Sequence, residues 1–116
     1  STEQFNDLFV FEPEENTWVS MDCSVGPPRW GAGMVAVQAV PHWQVFLFGG
    51  TCEDQSSETA RGLERSNEVI VFDEGRQRWS NPVIVGDPPV GRSDSPIVYD
   101  AKRGRLVLFG GWTSRW

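Results

Sequence analysis

The chain has 116 residues, a net charge of −6 and 39% hydrophobic residues, among them six Trp and seven Phe. This is the length of one small domain with a packed core, and no apolar run approaches the ~20 residues that cross a bilayer as a helix. Glu3 to Asp22 holds six acids and no base, which argues against a nucleic-acid backbone or an anionic membrane as partner.

The predicted elements are short strands. Asp7 to Phe11 is rich in aromatic and branched residues and reads as a strand. Glu12-Pro13-Glu14-Glu15-Asn16 is a polar turn, and Thr17 to Met21 a second strand around Trp18. Gly26-Pro27-Pro28 breaks the chain. Met34 to Val40 and Gln44 to Phe48 are strands three and four, ended by Gly49-Gly50. Thr51 to Ser66 reads as a long polar surface loop, with helical character around Glu58 to Glu64. Strands then resume at Glu68–Phe72, Gln77–Ser80, Pro96–Tyr99 and Arg105–Phe109, before Gly110-Gly111. Eight strands with tight turns predict an all-β antiparallel meander.

The second half of the chain echoes the first at an offset of 61 residues. Asn6-Asp7-Leu8-Phe9-Val10-Phe11 returns as Asn67-Glu68-Val69-Ile70-Val71-Phe72. Trp18 returns as Trp79, Pro27-Pro28 as Pro88-Pro89, and Leu47-Phe48-Gly49-Gly50 as Leu108-Phe109-Gly110-Gly111. A fixed period of tens of residues marks a repeat architecture. A Gly-Gly pair permits positive φ and close backbone approach. Phe11 with Trp18, and Phe72 with Trp79, fall on adjacent antiparallel strands where their rings can meet.

Together these landmarks resemble the kelch repeat: a double glycine ending a strand, an Asn-Asp-hydrophobic-aromatic-acid strand, a Trp on the next, and a Pro-Pro-Arg entry. Phe11, Trp18, Gly49, Gly50, Phe72, Trp79, Gly110 and Gly111 are the fold-defining residues of that resemblance. The second entry departs from the pattern, because Val90-Gly91 separates Pro88-Pro89 from Arg92. The resemblance implies a β-propeller segment of about two four-stranded blades. Residues 1–26 would end one blade, 27–87 form a complete blade carrying the 51–66 loop, and 88–116 begin the next. The remaining blades are expected in chain beyond these residues or, as the alternative, in a partner.

The long connections of such a meander emerge at one end, and function sits on the elaborated end of a rigid scaffold. Kelch proteins, by resemblance, contact protein partners there. Arg29, Trp30, Arg61, Arg65 and Arg92 are candidates for gripping an acidic or aromatic peptide. Glu53 and Asp54 in the same loop favour a basic one, so the sign of the ligand stays open. Each candidate has a plainer reading: turn-carbonyl bonding for Arg29 and Arg92, inter-blade packing for Trp30, a solvated face for Arg61 and Arg65.

Catalytic constellations are scarce. His42 is the single His, Ser93-Asp94-Ser95 has no base beside it, and no phosphate-cradling Gly motif occurs. Catalysis, a metal site and a cofactor are therefore not expected. Cys23 and Cys52 form no C-x-x-C pair, which favours reduced thiols and the cytoplasm. The expected function is a non-catalytic protein-interaction module. The alternatives are a kelch adaptor of a phosphatase or ubiquitin ligase, and an architectural repeat in a cytoskeletal or ciliary assembly.

Overall fold

The computed structural model describes residues 5–21, 28–53 and 63–113; the side chains of Ala39, Glu53 and Leu63 lie outside that description. The described residues are all-β, with ten strands: β1 Leu8–Glu12, β2 Thr17–Met21, β3 Gly33–Ala39, β4 His42–Phe48, β5 Thr51–Glu53, β6 Leu63–Arg65, β7 Val69–Asp73, β8 Arg78–Ser80, β9 Ile97–Asp100 and β10 Arg105–Leu108. One sheet has four antiparallel strands in the order β3-β4-β7-β8. It is flanked by two hairpins, β1-β2 and β9-β10, and by the small ribbon β5-β6.

The period of 61 is visible in the backbone. Phe11 pairs with Trp18 and Phe72 with Trp79, with ring centroids 5.0 Å and 5.3 Å apart. Both hairpins close on a residue of left-handed backbone, Asn16 at φ 54° and Gln77 at φ 51°. The acid of the aromatic-acid step has a local role, since the Asp73 carboxylate accepts the Arg76 amide at 3.1 Å inside the turn.

Strand alternation sends residues of the four-stranded sheet to two faces. Met34, Trp43, Val45, Leu47, Ile70, Phe72 and Trp79 share one face by register. A groove of about 240 Å³ on that side is shared with Phe5 to Leu8 of the first hairpin. Phe46, Phe48 and Val69 face the other way and share an apolar groove with Ile97, Leu106 and Leu108 of the last hairpin. The sheet thus lies between the two hairpins. Its core is Val45, Phe48, Ile70, Val71 and Phe72, with Phe72 fully buried between Trp43 and Trp79.

Two expectations are corrected. The 51–66 segment is not a loop throughout: Thr51–Glu53 pairs with Leu63–Arg65. The helical reading fails at Leu63 and Glu64, which lie in β6, and its remainder, residues 58–62, falls outside the described residues. The physical reason is that the ribbon is held from both sides. Thr51 exchanges two backbone bonds with Trp30, at 2.8 and 3.0 Å, and the Ser66 amide reaches the Gly50 carbonyl at 2.9 Å. β4 also starts two residues earlier than expected, at His42, because its register with β3 runs unbroken from Ala39–His42 to Gly33–Phe48.

Candidate functional site

The long connections do converge at one end, and a repeated set of contacts assembles them. The Arg29 amide bonds the Phe5 carbonyl at 3.3 Å, and the Arg92 amide the Ser66 carbonyl at 3.1 Å. Phe5 and Ser66 are 61 residues apart. The Arg29 guanidinium donates to the Gly49 carbonyl at 3.1 Å, and that of Arg92 to the Gly110 carbonyl at 3.1 Å. Trp30 forms a backbone bridge with Thr51, and Ser93 forms one with Trp112. Each arginine therefore ties a double-glycine turn to the strand entering the neighbouring sheet.

The double glycine is needed where these elements meet. Gly49 has φ +75°, and a Cβ there would sit 2.5 Å from the Arg92 carbonyl, which accepts the Gly50 amide. The extra Val90-Gly91 pair is accommodated without displacing Arg92 from its equivalent contacts. It passes so close to the Arg65 carbonyl that no Cβ fits at Gly91.

Around this frame lies a mixed surface. The Arg65 guanidinium stacks over the Trp112 ring at 4.8 Å from its centroid. The Trp112 indole N–H donates to the Asp94 carboxylate at 3.1 Å, and the Asp94 amide donates to the Gly31 carbonyl at 2.8 Å. The Trp30 and Trp112 rings are exposed, as is Asp94, whereas Thr51, Ser93 and Ser95 beneath them are buried.

Of the candidate residues, Trp30 and Arg65 therefore lie at this end with side chains on or near the surface. Arg92 is bonded to the Val90 and Gly110 carbonyls. The Arg29 side chain is 7% exposed and lies 3.5 Å from Glu68. The Glu53 side chain, Asp54 and Arg61 fall outside the described residues. Trp112 and Asp94 join the group as well. The signal for Trp112 is its place after Gly110-Gly111, the position Thr51 holds after Gly49-Gly50.

The group offers ring faces, a guanidinium and a carboxylate, the chemistry of recognition. His42 lies at the opposite end, 3.0 Å from Glu74. The Cys52 thiol is buried against the Glu64 carbonyl. Among the described residues no group of three or more His, Cys, Asp or Glu could hold a metal, and no helix is long and apolar enough to cross a membrane.

No family model matches the sequence. The chain is 40% identical over 82 residues to the flagellar outer-arm dynein alpha chain of Chlamydomonas reinhardtii, covering 69% of this chain and 2% of that protein. It is 30% identical over 70 residues to dynein regulatory complex subunit 7 of the same organism, covering 60% of this chain and 5% of that protein. It is 28% identical over 106 residues to the human Rab9 effector protein with kelch motifs, covering 91% of this chain and 26% of that protein. The chain spans between 2% and 26% of the length of these relatives. Over nearly all of its length it is distantly similar to a protein with kelch motifs.

Proposed function

We propose that this chain is a stretch of kelch-type β-propeller whose long-loop end binds protein partners and performs no catalysis. In this reading residues 1–26, 27–87 and 88–116 belong to three successive blades, the middle one being the four-stranded sheet. The single observation that carries the reading is the repeated arginine frame. It brings the ends of three long connections together and leaves Trp30, Arg65, Asp94 and Trp112 around a rigid floor. Rigid aromatic and arginine side chains over buried backbone are the usual makings of a binding hot spot.

The test is replacement of residues 54–62 by a short Gly-Ser turn that keeps β5 and β6. The expected outcome is unchanged thermal stability with loss of partner capture, measured beside a Trp30→Ala/Trp112→Ala variant. Undiminished capture by both would overturn the proposal.

The similarity to two dynein-associated proteins favours one setting, a cytoskeletal or ciliary assembly in the cytoplasm. With a net charge of −6, the chain is suited to contacting other proteins of such an assembly rather than a polyanionic surface. A pull-down from axonemal extract, with vesicles and nucleic acid as negative controls, checks this placement.

A further inference from the structure

The two repeats differ at one backbone position that the fold treats alike. The bridges Trp30–Thr51 and Ser93–Trp112 are equivalent, as are the Arg29 and Arg92 contacts just before them. Gly31 and Asp94 are therefore counterparts. Both have left-handed backbone, at φ 72° and 58°. Glycine takes that conformation freely, whereas a residue with a side chain does so at a cost of about 1 kcal/mol. Aspartate tolerates it better than most. A carboxylate thus stands where glycine alone satisfies the fold, and a backbone outlier kept at such a position points to function.

Asp94 lies at the long-connection end, beside a groove of about 470 Å³ between the starts of β3 and β9. Both walls are fixed, because β3 pairs with β4 and β9 with β10. Gly33 lies so close to β9 that a Cβ there would sit 2.8 Å from the Ser95 carbonyl and 3.0 Å from the Ile97 side chain. A Cβ at Gly31 would sit 3.1 Å from Asp94 Oδ1. Oδ1 therefore overlies Gly31, while Oδ2 accepts the Trp112 indole N–H at 3.1 Å. That bond orients the carboxylate, and Asp94 stays exposed.

Two donors beside the groove are already engaged. The Asp94 amide donates to the Gly31 carbonyl at 2.8 Å, and the Ser95 hydroxyl to the Gly110 carbonyl at 3.0 Å. The arginines of this end are held as well, Arg29 and Arg92 by glycine carbonyls and Arg65 over the Trp112 ring face. Asp94 is the one charged residue among those lining the groove. An oriented carboxylate with a backbone carbonyl nearby is complementary to a guanidinium or ammonium group. The net charge of −6 favours the approach of such a group.

We propose that Asp94 sets the sign of the ligand: the groove takes a Lys or Arg side chain from a basic segment of a protein partner. The exposed Trp30 ring, next to Gly31, packs against the same segment. This inference rests on the reading of the long-connection end as a partner-binding surface, and it names the chemistry of that partner.

The experiment uses the whole protein that carries this stretch. Two synthetic peptides of equal length, one alternating Arg with Gly and the other Glu with Gly, are followed by fluorescence anisotropy. The Arg peptide is expected to bind, more weakly as salt is added, and the Glu peptide not to bind. Asp94→Asn keeps a residue suited to left-handed backbone and an oxygen for the Trp112 indole, and removes only the charge. It is expected to bind the Arg peptide about tenfold more weakly, the loss of one charge-assisted hydrogen bond, with an unchanged melting temperature. Asp94→Gly installs the residue of the other repeat and is expected to weaken binding at least as much. Undiminished binding in both variants, no binding of the Arg peptide, or preference for the Glu peptide overturns the proposal. Partner capture separates it from the reading beneath. Capture lost in Trp30→Ala/Trp112→Ala but full in Asp94→Asn leaves the binding surface standing and removes the basic ligand. Capture retained in all of these variants and in the 54–62 replacement removes both.

Discussion

Arg29 and Arg92 show how one residue type serves each repeat. Both donate to the first carbonyl of a double glycine, and both bond through their amides to the residue just before the preceding Asn-acid strand. Their plainer reading, bonding to turn carbonyls, was already available from their position at a strand entry. What the sequence concealed was the route to Arg92, because two extra residues precede it. Gly91 makes that route possible, since its missing side chain lets the backbone lie on the Arg65 carbonyl. Gly91→Ala is expected to cost about 1–3 kcal/mol or more by overpacking, a fall in Tm on the order of 10 °C for a domain of this length. Gly110→Ala is the comparison. It has φ +68° but open space around a Cβ, so only the left-handed backbone penalty of about 1 kcal/mol applies. Thermal melts of the two variants check the order.

Among the elements, the main strands were legible because each carries alternating aromatic and branched residues between Gly, Pro and acidic turns. The β5-β6 ribbon was not. Thr51-Cys52-Glu53 and Leu63-Glu64-Arg65 are too short and polar for a period to emerge, and their pairing depends on Trp30 and Ser66, which come from elsewhere in the chain. The turns are legible at a finer level. Asn16 and Gln77 hold the same left-handed position, yet Asn tolerates that backbone far better than Gln. Gln77→Asn is therefore expected to stabilise the β7-β8 hairpin by about 0.5 kcal/mol, part of the ~1–2 kcal/mol left-handed cost. Asn16→Gln should do the reverse for β1-β2. Chemical denaturation of both variants, with unchanged m-values, checks the pair.

For the whole molecule, the repeat made the all-β architecture readable, while the surface group stayed hidden because its parts lie far apart. Trp112 and Arg65 meet only when the last hairpin docks, and no local pattern announces that contact. The same repeat also explains why equivalent residues differ in burial. Phe72 is enclosed by Trp43 and Trp79 and Phe11 is not, because among the described residues β7 has strands on both sides and β1 on one.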